Sequence, residues 1–426
     1  MKAAIMRTKL PLSVLMLVSV LGIAAALQQV SARIQKSAGY KVLHAFTGGK
    51  DGGGLWGSVA FDRDGNLYGV TQGGGAYNGG TAFRLTPSSH GAWTETVLHN
   101  FQSSAHDGAI PFGGPTLDAA GNVYGTTPLG GTHHYGTVYK LTRGSNGWRE
   151  DILHNFCARR NCSDGADPWG SLLIDGAGNL YGTADSAFKL SLGTKGWTEV
   201  ALHLFTGNNG DGLFPQAGPI RDAAGNLYGT TRYGGGGPWC APDGCGIVWE
   251  LSPPTGSAIQ GWTEHILYRF GLSRTDGDTP SLGQLAMDPE GNLYGAAGGG
   301  KYKAGIVYRV TRTAGVLGDT WRTTILYNFT GGADGSFPGG GVILDSAGNL
   351  YGTTIAGGSP NCGCGVVFKL SPQTDGSWKY TLLHTFVGSD GAQPDANLTL
   401  GPDGKLYGTA ATGGAHGGGV VFQLTP

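Results

Sequence analysis

The chain is 426 residues long, holds 81 glycines and only 13% charged residues, and has a formal net charge of −1. Such a balance gives no global pull toward nucleic acid or an anionic membrane surface. With 39% hydrophobic residues wholesale disorder is excluded, and without a strict glycine period so is a collagen helix. The first predicted element is a targeting segment. Lys2, Arg7 and Lys9 precede an apolar run over residues 10–27, and Val30-Ser31-Ala32 has the small-residue pattern of a cleavage site. Residues 1–32 read as a secretory signal peptide, with an uncleaved anchor as the alternative that the length of the run allows. The mature chain, from Arg33, is then expected outside the cytoplasm: secreted, at the cell surface or in the periplasm.

Next comes a lone strand signal, Tyr40-Lys41-Val42-Leu43-His44-Ala45-Phe46. After it one phrase recurs seven times, from DRDGNLYGV at 62–70 to GPDGKLYGT at 401–409, and its tyrosines are Tyr68, Tyr124, Tyr181, Tyr228, Tyr294, Tyr351 and Tyr407. Each copy offers four short strands. Strand a is apolar, as at 171–174; a D-x-x-G-N turn leads to strand b, N-L-Y-G-T. A glycine-rich loop leads to strand c, as at 136–141, and a polar turn to strand d, as at 93–99. Four strands repeated seven times predict an all-β, seven-bladed β-propeller filling 33–426 as one domain. The seventh copy ends after strand c, while the strand at 40–46 resembles strand d. A closed ring uses that permutation, because the N-terminal strand completes the last blade and hides its edge.

The framework D-x-x-G-N-L-Y-G-T-T…G-G…G-T-V-F-K-L-T-P resembles the GloVer (Gloeo–Verruco) tandem repeat of exported bacterial proteins over residues 40–426. Repeat three departs from it, with Ala184-Asp185-Ser186 in place of the glycine-rich loop. The resemblance implies a surface or extracellular bacterial protein and no settled activity.

Six cysteines fall in local pairs. Cys157 with Cys162 and Cys240 with Cys245 are disulfide candidates in an exported chain; the state of Cys362 and Cys364, one residue apart, stays open. Antiparallel order places the d–a and b–c loops on one face and the short turns on the other. The long-loop face is where binding groups are expected. The D-G pairs that begin at Asp51, Asp107, Asp164, Asp211, Asp276, Asp334 and Asp390 occur in every blade and read as turns, with glycine at positive φ, in preference to calcium sites. The column His44, His99, His154, His203 and His384, with Tyr268 and Tyr327 in the other copies, reads as packing and hydrogen bonding. His106, His133 and His134 could be drawn together by a metal, but no carboxylate is placed beside them, so no metal and no cofactor are expected.

Function is expected where the repeats differ. One column before strand a reads Trp56, Phe112, Trp169, Gln216, Ser281, Gly339 and Asp395. Aromatics in blades one to three beside a polar arc have the chemistry of a sugar-stacking platform, with Trp56, Phe112, Trp169, Gln216 and Asp395 as binding candidates. The plainer alternative is that they plug the channel. G-x-S-x-G and H-E-x-x-H are absent. The sequence thus favours an exported, monomeric binding or scaffold propeller without enzymatic activity. Its expected partner is a glycan or another cell-surface ligand, and neither nucleic acid nor a membrane span after cleavage is expected. A polysaccharide hydrolase or lyase at the channel mouth and an adhesive envelope protein are the alternatives.

Overall fold

A computed structural model describes residues 39–240, 242–254, 261–280, 283–313 and 320–426. The expected signal peptide and Ser281 lie outside them. Seven antiparallel sheets are built in the order a-b-c-d. In the first blade these are Ala60–Phe61, Leu67–Thr71, Thr81–Pro87 and Trp93–Asn100. The last blade takes Thr399–Leu400, Leu406–Ala410 and Val420–Leu424 from the C-terminal end of the chain and Tyr40–Ala45 from its beginning. Tyr40 pairs with Leu424 and Ala45 with Val420, so the ring closes as the strand permutation predicts.

The repeated phrase has a local physical cause. In the first turn Asp62 Oδ1 accepts the backbone N–H groups of Asp64 and Asn66, both at 2.9 Å. Its Oδ2 accepts from Asn66 Nδ2 at 2.7 Å and from the Tyr68 hydroxyl at 3.1 Å. Four donors on one carboxylate hold its pKa below the ordinary value despite partial burial. The glycine after the tyrosine is needed for packing: a Cβ on Gly69 would lie 2.4 Å from the Phe83 ring, and one on Gly229 would lie 2.3 Å from Trp249. Strand b therefore runs bare beneath the large aromatic of strand c.

Buried clusters sit between neighbouring blades. The wedge closing the ring holds Phe46, Leu55, Leu67 and Phe83 against Tyr407 and Val421. Each strand d ends in a buried phenylalanine, and Phe46 is 0% exposed like Phe156 in an interior wedge. Small residues bring the inner ends together: a Cβ on Gly113 would meet the backbone of Gly170 at 2.5 Å, and one on Gly283 that of Gly340 at 2.2 Å. Thr409 Oγ1 donates to the carbonyl of Gly57 at 2.9 Å across the closure, as Thr126 does to Gly170 between blades two and three.

The D-G glycines correct one expectation. Gly52, Gly165, Gly335 and Gly391 take positive φ, but Gly108, Gly212 and Gly277 do not. Those three are strand residues, and glycine is needed there for space: a Cβ would meet Thr127 Oγ1 at 2.1 Å, Thr231 Cγ2 at 2.4 Å and Ile306 Cδ1 at 2.6 Å, respectively.

Candidate functional site at the channel mouth

The inner strands, of two or three residues, let the segments before them converge on the ring axis. There a shallow depression, with a cavity volume of about 30 Å³, is lined by residues of six blades, among them Trp56, Phe112, Trp169, Gln284, Asp395 and Asn397. Trp56 and Phe112 lie 6.1 Å apart at 17°, and Phe112 meets Trp169 edge-on at 5.3 Å. All three rings are half-buried. They form an arc over blades one to three.

Asp395 stands in the seventh blade, 5% exposed, and its Oδ1 has no hydrogen-bond partner. It occupies space that Gly339 leaves free, since a Cβ there would collide with that oxygen. Burial pushes its carboxyl up to about 7, against the pull of Arg232. Gln216 does not line the depression; its Oε1 accepts from Arg232 Nη1 at 3.3 Å. The structure thus brings four of the five candidate residues together and leaves the fifth beside them.

Two lining residues were not singled out by sequence. Asn397 Oδ1 accepts from the Gln284 backbone N–H at 2.9 Å, and Asn397 Nδ2 donates to the Gln284 carbonyl at 3.3 Å. Blades five and seven are therefore bridged beside the axis. The signal lay just past the rim column, where Asn397 stands two positions after Asp395 and Gln284 three after Ser281, at different offsets.

Around the mouth runs a second ring. The third residue after each D-G aspartate is left-handed in every blade, at Gly54, Ile110, Asp167, Phe214, Thr279, Phe337 and Gln393, and in all but the first, where Leu55 follows, it precedes a proline. Side chains there are disfavoured, above all β-branched ones. Interblade bonds hold the shape, such as Ile110 N–H to the Gly79 carbonyl at 2.8 Å and Phe337 N–H to that of Ala304 at 2.7 Å. Phe214 and Phe337 are exposed by this geometry.

The D-G aspartates and the histidine column, read separately in the sequence, meet in the wedges. A β-bulge at the leucine before each His or Tyr re-aims the following ring. His99 Nε2 lies 3.2 Å from Asp107 Oδ1, and Tyr268 donates to Asp276 at 2.7 Å. Each aspartate also accepts a backbone N–H, as Asp107 does from Gln102 at 3.0 Å. The glutamates that join four of these wedges were not singled out. His133 and His134 are exposed, and among the described residues no group of potential metal ligands includes them or His106. All three cysteine pairs form disulfides, Cys362–Cys364 included, each within one loop. Among the described residues no helix is long and apolar enough to cross a membrane.

The family model of the Gloeobacter/Verrucomicrobia repeat matches residues 30–238 and 215–426. No curated protein matches. Among solved structures, the chain is similar to a protein of Thermus thermophilus described as a putative oxidoreductase (glucose dehydrogenase), with 14% identity and a TM-score of 0.41, covering 90% of this chain and 99% of that one. It is also similar to the polysaccharide lyase Uly1, with 11% identity and a TM-score of 0.45, covering 86% of this chain and 89% of that one.

Proposed function

This chain belongs to the Gloeobacter/Verrucomicrobia repeat family, and we propose that it is an exported binding propeller whose channel mouth receives a glycan or a similar cell-surface ligand. The observation that carries this reading is the arc of Trp56, Phe112 and Trp169 facing one depression with Asp395, Gln284 and Asn397. Flat apolar rings take the C–H faces of a sugar, while amides and a carboxyl take its hydroxyls. A rigid scaffold with the variable groups on one face suits recognition without a moving part.

The test is affinity electrophoresis of the chain on a panel of polysaccharides, with the Trp56→Ala/Trp169→Ala double variant alongside. Retardation that the variant loses supports the site. No retardation on any polymer sinks the glycan reading and leaves the rings as a channel plug.

Asp395 favours a second reading, a hydrolase or lyase at the same mouth. A carboxyl poised near neutrality can give or take a proton. Products released from a glycan panel by the wild type, and not by Asp395→Asn, would establish it.

A further inference from the structure

The seven interblade wedges share one polar plan, an aspartate met by a His or Tyr. At four of them a glutamate joins from the next outer strand: Glu95, Glu150, Glu199 and Glu264. Two buried carboxylates side by side need a positive charge or a proton. Arg159 serves Glu199, with Nη2 2.9 Å from Oε2. Arg269 acts on Glu264, which is also more open, at 16% side-chain exposure.

Among the described residues no guanidinium pairs with Glu95 or with Glu150, and of these two wedges only that of Glu150, between blades one and two, gathers three potential ligand groups. Arg149, beside Glu150 in sequence, is spent on Asp151 at 2.8 Å. The Glu150 side chain is 9% exposed and that of Asp107 5%. Glu150 Oε1 and the Tyr139 hydroxyl are buried without hydrogen-bond partners.

We propose that this wedge binds one divalent transition-metal ion, zinc by its donor set, through His99 Nε2, Asp107 and Glu150. Their ligand atoms all lie within 4.8 Å of one another; those of His203, Asp211 and Glu264 do so too, but there Arg269 already acts on the glutamate. Zinc at about 2.0–2.2 Å from each donor in a tetrahedron sets donors roughly 3.4 Å apart. His99 Nε2 stands 3.2 Å from Asp107 Oδ1 and 3.6 Å from Glu150 Oε2, on either side of that value. The longer separation exceeds a good hydrogen bond. An imidazole donor selects against calcium and magnesium. The ion ties the outer strand of blade one to that of blade two, and this departs from the expectation of no metal.

The test uses chelator-treated, desalted full chain titrated with zinc at neutral pH, bound metal being counted by elemental analysis. The wild type is expected to hold one zinc equivalent that Glu150→Gln loses, with at least tenfold weaker binding, and zinc is expected to raise the melting temperature of the wild type alone. Cobalt substitution should give visible d–d bands that Glu150→Gln abolishes. Glu199→Gln and the His133→Ala/His134→Ala double variant should keep the site; His99→Gln replaces Glu150→Gln if the latter misfolds. Absent uptake, equal uptake by wild type and Glu150→Gln, or uptake lost on changing His133 and His134 would overturn the proposal, leaving a proton-sharing acid pair or adventitious surface binding.

Discussion

If the strand Tyr40–Ala45 closes the ring as tightly as interior blades join, its wedge should cost as much to damage as theirs. Phe46 and Phe156 make the comparison, since both are 0% exposed at the end of a strand d. Phe46 packs 4.8 Å from Phe83, and Phe156 5.1 Å from Phe188. Deleting a buried phenylalanine side chain costs about 3–5 kcal/mol. Both Phe46→Ala and Phe156→Ala should therefore lose that amount, within about 1 kcal/mol of each other. Removing residues 33–46 adds the loss of the ladder to 420–424, of the bond from the Tyr40 hydroxyl to the Asp390 carbonyl at 2.6 Å, and of its ring stacked on His384 at 3.8 Å. With total stabilities of about 5–15 kcal/mol, that truncation should not hold a closed ring. Urea unfolding followed by tryptophan fluorescence measures all three. A Phe46→Ala midpoint equal to wild type, beside a lowered Phe156→Ala midpoint, would refute the closure as an equal partner in stability.

Two further predictions concern the rim. The Asp395 carboxyl, held up to about 7, binds its proton more tightly in the folded state than in the unfolded one. Its contribution is therefore present below the ordinary pKa of about 4 and lost as pH rises toward 7, by at most about 4 kcal/mol. Asp395→Asn should flatten the melting temperature between pH 4 and 8 relative to wild type, and parallel curves would contradict the burial argument. Ile110 is β-branched at φ 58. Ile110→Asn should be neutral or stabilising by up to about 1 kcal/mol, because asparagine tolerates the left-handed region; a loss above 1 kcal/mol in urea would show that packing of the side chain outweighs the strain.

The fold was legible because each blade states its turns, apolar strands and small residues in the same order, and repetition made the missing strand at the end visible. The channel-mouth residues were legible as a column for the same reason: Trp56, Phe112, Trp169 and Asp395 occupy one position in register. The wedges were not. His99, Asp107 and Glu150 come from three segments, and they meet only because the bulge at Leu98 turns His99 toward the following blade. Nor could periodicity place the Gln284–Asn397 bridge, which joins blades five and seven past the sixth. The left-handed ring hid behind ordinary side chains, since Ile110 and Thr279 are poor signals for positive φ.

Blade seven shows how the repeat keeps its structural groups while the rim column varies. Gly401 stands where the other blades have the turn aspartate, and Asp403 takes over: its Oδ2 accepts from Tyr407 at 3.0 Å, and its Oδ1 from the Lys405 backbone N–H at 3.2 Å. The residue moved, yet the acceptor for the buried tyrosine was kept, as a structural requirement demands. The rim column behaves oppositely. It runs from tryptophan to glutamine to glycine to aspartate with no compensation that restores one chemistry. The depression on the axis is lined by six blades, whereas a wedge is lined by two. The asymmetry of aromatic arc against Asp395, Gln284 and Asn397 is thus concentrated around one depression.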